Sequence, residues 1–334
     1  MDSLHILFPV SGVKTSVLIP PLVAFVISFF TSMGGVSGAF LLLPFQMSVL
    51  KYTSPSVSAT NFVFNIVAIP SGVYRYIKEG RMAWPLTWMI IIGTLPGVFI
   101  GYYLRVLYLP DPKVFKVFVG SVLLYIGIHL IYEIILLLPP FSKGGMGGLS
   151  DKNRMTALEE KFKQSVAEIK EKQNTRIASG LPPDAIVKTV SVSFKRIEYE
   201  FWGERFSFGT LPMFFLALIV GIIGGTYGIG GGAIIAPFCV AVFHLPVYTV
   251  AGAALMGTFL TSIAGVFFYS VIPAKGGMVT SPDWFLGFLF GIGGFAGMYL
   301  GARFQKFVPQ RLIKLMLGMI ILFLAIQYIL QYFL

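Results

Sequence analysis

The stretch GIGGGAIIAPF, Gly228 to Phe238, governs the reading of this chain, because a second version of it, GGVSGAFLLLPF, occupies Gly34 to Phe45. In each, a glycine cluster interrupts an apolar run, and an apolar segment closing on Pro-Phe follows. At a constant offset of 193, Gly35 aligns with Gly228, Gly38 with Gly231, Pro44 with Pro237 and Phe45 with Phe238. The register continues without a gap to Val57/Val250, Gly72/Gly265 and Tyr76/Tyr269. Further on the offset becomes 200 and pairs Trp84 with Trp284, Gly93 with Gly293, Gly97 with Gly297 and Gly101 with Gly301. Repetition over this length is an internal duplication. Single glycines in a membrane helix serve close helix packing. Three in a row, Gly230 to Gly232, weaken a helix, and duplicated transporters carry interrupted helices at corresponding points of their halves. A helix break in each half is therefore expected.

Of the 334 residues, 56% are hydrophobic and 12% charged, against about 25% charged in a soluble domain. Runs such as Leu86 to Leu104 and Leu315 to Leu334 are long enough to span a bilayer. The expected fold class is an all-α polytopic membrane protein. The short alternating strands of a β-barrel are absent from the hydrophobic part. A net charge of +11 is accounted for by basic residues held in cytoplasmic loops, so the expected partner is the lipid bilayer and not nucleic acid. Cys239 stands alone, which excludes an intramolecular disulfide. His5, His129 and His244 are too scattered for a zinc cluster, and no metal or cofactor is expected. The nearest approach to a nucleophile–base pair is Cys239 with His244, five residues on, so the chain does not read as an enzyme. The first sixteen residues lack a basic start followed by a clean apolar core, and no cleavable signal peptide is expected.

Three regions follow: a first transmembrane repeat over 1–138, an insert over 139–208 and a second repeat over 209–334. Each repeat reads as a glycine-broken pair of short helices plus three spanning helices. The spans expected are Val57–Tyr74, Trp84–Leu107 and Val114–Leu138, then Pro246–Val271, Trp284–Phe304 and Val308–Leu334. The insert opens with the flexible PPFSKGGMGG. Asp151–Ile177 places Leu158, Phe162, Val166 and Ile169 on one face of an amphipathic helix. Val187–Phe206 alternates as a strand pair turning at Gly203-Glu204. The insert holds 12 of the 25 Lys/Arg and 9 of the 14 Asp/Glu and reads as a small cytoplasmic element. If each broken pair forms a re-entrant hairpin or two short crossings, each half crosses an odd number of times and the halves are inverted. Basic residues then divide 19 to 6 between the two faces, but without the insert only 7 to 6. One long broken helix per half would instead make the halves parallel, with 5 to 8. Charge does not choose between them. The shortness of the paired segments favours inversion.

Breaking a helix frees backbone N–H groups at the next helix start, and these attract anions. The candidate substrate-binding residues are therefore Gly34, Gly35, Ser37 and Gly38 at the first break and Thr226, Gly228, Gly230, Gly231 and Gly232 at the second. Asn61 and Asn65 share one helical face. Thr258 is the repeat partner of Asn65, and Thr261 and Ser262 lie one turn beyond it; Asn61, Asn65, Thr258 and Thr261 form the set. These four are candidate cavity walls, or else hydrogen bonds between helices. A small tetrahedral or pyramidal oxyanion suits such a site. His129 and Glu133, one turn apart, are candidates for proton coupling or an ion pair at a helix end.

The motifs GIGGGAIIAPF (228–238), VAGAALMGTFLTSIAGVFFY (250–269) and GTLPGVFIGYYL (93–104) resemble those of the TauE/SafE sulfite exporter family of membrane permeases. The resemblance covers about 20–138 and 209–333. It implies an inner-membrane secondary transporter of small sulfur-containing anions such as sulfite, sulfoacetate or related organosulfonates. A passive anion channel is the alternative. The first break, with Val36 and Ser37, departs from the more typical second.

Overall fold

A computed structural model describes residues 5–33, 37–78, 80–136, 186–201, 203–274, 277–304 and 310–333. The first repeat consists of α1 (Ile19–Met33), α2 (Ala39–Ser48), α3 (Ser56–Ala68), α4 (Pro70–Lys78), α5 (Trp84–Tyr103) and α6 (Pro112–Leu136). The second consists of α7 (Thr210–Tyr227), α8 (Gly232–Phe243), α9 (Val247–Val271), α10 (Trp284–Phe304) and α11 (Gln310–Phe333). Among the described residues, six stretches are long and apolar enough to cross a membrane: Ser56–Lys78, Trp84–Tyr108, Pro112–His129, Thr210–Tyr227, Thr249–Val271 and Trp284–Gly301. The chain is a multi-pass, all-α membrane protein with two small sheets.

Local chemistry explains the element ends. The span expected over Val57–Tyr74 is two helices, because Pro70 has no N–H to continue α3 and is suited to starting α4. Asp111, between two prolines, accepts the N–H groups of Lys113 (2.6 Å) and Val114 (3.3 Å) and caps α6. α7 stops at Tyr227 because Gly228 takes φ +87°, a left-handed conformation open to glycine. α5 does not end cleanly but widens into a π-helical turn, Leu104–Tyr108. Ahead of α1 the chain forms a hairpin of β1 (His5–Leu7) and β2 (Lys14–Ser16).

The duplication visible in sequence is carried into the contacts. α5 of the first repeat packs on α7 of the second, and its repeat partner α10 packs on α1. A Cβ added at Gly93, Gly97 or Gly101 would overlap the carbonyl oxygens of Phe214, Leu218 and Ile222. One added at Gly293, Gly297 or Gly301 would overlap those of Pro21, Phe25 and Phe29. The second triplet of each set is the first displaced by the same 200 or 193 residues. The glycines thus form two equivalent small-residue seams along which backbones touch. Each seam joins one half to the other. α3 on α10 and α9 on α5 repeat the exchange, while α6 packs on α11.

In the last part of the insert, leading into α7, lies a three-stranded antiparallel sheet, β3 (Lys188–Val192), β4 (Arg196–Phe201) and β5 (Glu204–Gly209). The sequence suggested only a pair, but the segment before it also pairs, Val192 opposite Ile197. Ile197, Tyr199, Phe201, Phe206 and Phe208 turn inward and are buried, while Arg196 and Glu200 turn outward. The inner face joins the helical core. Tyr199 hydrogen-bonds Thr249 near the start of α9 at 2.9 Å, and burial holds its hydroxyl well above the usual tyrosine range. Val187 donates to the carbonyl of Gly80, just before α5, at 3.0 Å. The amphipathic helix expected over Asp151–Ile177 lies outside the described residues.

Candidate substrate site

The two helix breaks meet, and asparagines of α3 join them. Asn61 Nδ2 donates at 3.0 Å both to the carbonyl of Ala39, at the start of α2, and to that of Gly228, in the second break. One turn on, Asn65 Nδ2 donates to the carbonyl of Ile229 (3.0 Å) and to Ser262 Oγ (3.2 Å), and Asn65 Oδ1 accepts the hydroxyl of Ser37 (2.9 Å). Both carboxamides therefore span first break to second. Neighbouring positions i and i+4 project from one face of α3, which lets one helix reach both breaks. The crossing is closed: Ser37, Asn61, Asn65, Thr226, Thr258 and Thr261 are each at most 1% exposed.

The candidates divide by what they face. Ser37 precedes Gly38, the N-cap of α2, and its hydroxyl accepts the N–H of Ala39 at 3.3 Å. Gly38 begins that turn and lies against Ser28 of α1. Gly34 and Gly35 lie outside the described residues. Gly230 and Gly232 press on Thr258, and Gly232 leaves no room for a Cβ beside the carbonyl of Ala254. Thr258 and Thr261 return their hydroxyls to α9, to Ala254 (2.9 Å) and Gly257 (2.7 Å), and Thr261 Oγ1 also receives the N–H of Gly231 at 3.4 Å. Thr226 is turned away from the crossing, donating to Ile222 (2.8 Å) and Gly101 (3.2 Å).

The break amides differ from the simple expectation of free donors. Those of Gly228, Ile229 and Gly230 all return to the carbonyl of Gly224, because a left-handed cap closes its N–H groups on the last orphan carbonyls of the helix. The long Gly231–Thr261 bond is the most easily exchanged of the set. Three further residues complete the crossing. Gln46 donates to Asn61 Oδ1 at 3.4 Å, Ser262 meets Asn65, and Tyr227 donates to the carbonyl of Phe40 at 2.7 Å. Ser262, one turn from Thr258, is legible as part of the same stripe; Gln46 carries no such signal. Ser28 Oγ and Gln46 Oε1 are buried without a hydrogen-bond partner among the described residues.

His129 stands on α6 and stacks on Tyr125, with ring centroids 6.2 Å apart. Of Glu133 only the helical backbone is described. Two charged residues outside the expected set are buried. Asp283 (2% exposed) accepts the N–H and hydroxyl of Ser11 and caps α10 through the N–H of Leu286. Its own N–H reaches Thr60 Oγ1 at 2.9 Å, which also meets the Tyr52 hydroxyl. Burial pushes that hydroxyl up to about 12. Arg105 (0% exposed) lies in the π-helical turn. It falls near the end of the span expected over Trp84–Leu107, and the π-turn carries the helix one residue beyond that expectation, to Tyr108. Among the described residues, no group of three or more His, Cys, Asp and Glu could hold a metal ion.

Residues 21–328 match the family model described as Sulfite exporter TauE/SafE. The chain is also 31% identical over 118 residues to the "Probable membrane transporter protein YdhB" of Bacillus subtilis (strain 168), an alignment covering 34% of this chain and 42% of the relative. The chain thus spans less than half the length of that relative. No solved structure matches.

Proposed function

This chain belongs to the TauE/SafE sulfite exporter family, a multi-pass membrane transporter, and from that premise we propose that it exports small sulfur-containing anions such as sulfite or sulfoacetate across the inner membrane. The observation that carries the reading is the crossing itself. Two breaks from the two repeats are held together by Asn61 and Asn65, in a layer closed to water. The two repeats are inverted and the insert is cytoplasmic. One half rocks against the other about this layer, exposing it first to one face and then to the opposite one. In the closed state the polar groups satisfy one another. When the halves part, Ser37, Asn61, Asn65, Thr258, Thr261 and the amides of Gly231 and Gly232 exchange those bonds for anion oxygens. No lysine or arginine is needed at the crossing, since N–H and O–H dipoles stabilise an anion in a dry site. Gly34, Gly35 and Gly38 of the first glycine cluster, and Thr226, Gly228 and Gly230 of the second, complete the proposed substrate-binding set. His129 and Glu133 couple the cycle to protons.

Counterflow of labelled sulfite in proteoliposomes tests the mechanism. A two-gated carrier accumulates label transiently against its gradient, and a pore does not. A thermal-shift series with sulfite, sulfate, thiosulfate, sulfoacetate and a carboxylate control tests the substrate class; stabilisation by the carboxylate alone would overturn it.

A further inference from the structure

Among the described residues, Arg105 is a buried charged group that the crossing leaves unexplained. Its side chain is fully buried, and its guanidinium has three distinguishable parts. Nη1 donates to the carbonyl of Leu109, closing the π-helical turn. The flat face lies over the ring of Phe115 at the start of α6, 3.6 Å from its centroid. Nε and Nη2 have no hydrogen-bond partner among the described residues. These two nitrogens form one edge of the guanidinium plane, the edge that receives two oxygens of a planar or tetrahedral oxyanion side by side. A buried guanidinium with an unsatisfied edge is costly, and π-turns inside α-helices recur at functional positions.

Its location fits a transport path. Along α5, Arg105 follows by about one turn the residue Gly101, whose carbonyl accepts the Thr226 hydroxyl at the end of α7. Tyr102, three residues before Arg105 on α5, packs edge-on against Tyr269 of α9 with ring centroids 4.9 Å apart. Tyr269 donates to the carbonyl of Gly225 at 3.1 Å, and Ser58 donates to that of Thr226 at 3.3 Å. Tyr269 thus touches both the stretch of α5 that leads to Arg105 and the end of α7 that leads to the second break. The sheet lies at the other end of α5, where Val187 meets Gly80. Arg105 is 25 residues from Gly80, so it sits near the membrane face opposite the sheet.

We propose that the Nε–Nη2 edge of Arg105 is a charged binding subsite for the transported oxyanion, at the mouth opposite the sheet and linked to the neutral crossing through Tyr269. This rests on the reading of the chain as a carrier of small sulfur oxyanions. The neutral crossing occludes the anion and Arg105 receives it at the mouth. Nη1 and Phe115 hold the guanidinium so that the free edge faces the ligand.

The test measures sulfite binding to the purified full chain in nanodiscs, for the parent, Arg105→Lys, Arg105→Gln and Asn65→Leu. Lysine keeps the charge and a donor for the Leu109 carbonyl but loses the two-pronged edge. The expected result is a sulfite Kd raised about tenfold or more in Arg105→Lys and further in Arg105→Gln, with the ligand-free melting temperature of Arg105→Lys close to the parent's. A folded Arg105→Lys that binds sulfite within about twofold of the parent overturns the subsite, whether or not Arg105→Gln folds. If Asn65→Leu loses binding while Arg105→Lys does not, only the Arg105 subsite fails. If the parent binds neither sulfite nor sulfoacetate, the substrate reading fails and the subsite with it.

Discussion

At the scale of single residues, Asn65 does more than wall a cavity. Its carboxamide is shared among Ile229, Ser262 and Ser37, so Asn65→Leu strands a buried carbonyl and two hydroxyls, at about 1–3 kcal/mol. The expected outcome is a lower melting temperature together with sulfite affinity reduced about tenfold, both read from one thermal-shift titration. Unchanged affinity in the folded variant would remove Asn65 from the site. That Asn61 and Asn65 share a face was legible from their four-residue spacing. That they grip carbonyls of both breaks was not, because Asn61 and Gly228 are 167 residues apart. Arg105 falls near the end of the span expected over Trp84–Leu107, but its complete burial was not legible, because that depends on the π-turn and on Phe115 of α6.

At the scale of elements, the paired seams make a symmetric prediction. Gly97 on α5 meets Leu218 and Gly221 of α7, and Gly297 on α10 meets Phe25 of α1. Either glycine changed to leucine wedges two helix backbones apart, costing about 1–3 kcal/mol or more. Gly97→Leu and Gly297→Leu should lower the yield of folded, monodisperse protein to similar extents, as read by gel filtration. A large effect of one and none of the other would break the equivalence of the seams. The sheet gives a milder case. Tyr199→Phe removes the hydroxyl that meets Thr249, but Thr249 keeps its bond to the Pro246 carbonyl at 2.9 Å. The expected loss is about 0.5–1.5 kcal/mol, with faster limited proteolysis around β3–β5. Strand alternation was visible over Val187–Phe206, and β5 continues to Gly209 because Phe208 adds a further inward position.

At the scale of the whole molecule, each half completes the other. α1 is sheathed by α10 and α7 by α5, across the repeat boundary. A half alone would expose its glycine seam and leave its break without the partner that Asn61 and Asn65 supply. Fragments 1–138 and 209–334 should therefore copurify when expressed together, and each should be protease-sensitive when expressed alone. A stable, isolated first half would show that the seams are dispensable. Primary structure was enough to establish the membrane class, since apolar length is a property of neighbouring residues, and it displays glycine clusters recurring at constant offsets. Only tertiary packing decided that the break amides of Gly228 and Gly230 turn back on Gly224, that the asparagines join the breaks through backbone carbonyls, and that one arginine is buried with a free edge. The physical reason is that hydrogen-bond partners and burial depend on which distant segments meet, and no local pattern encodes that meeting.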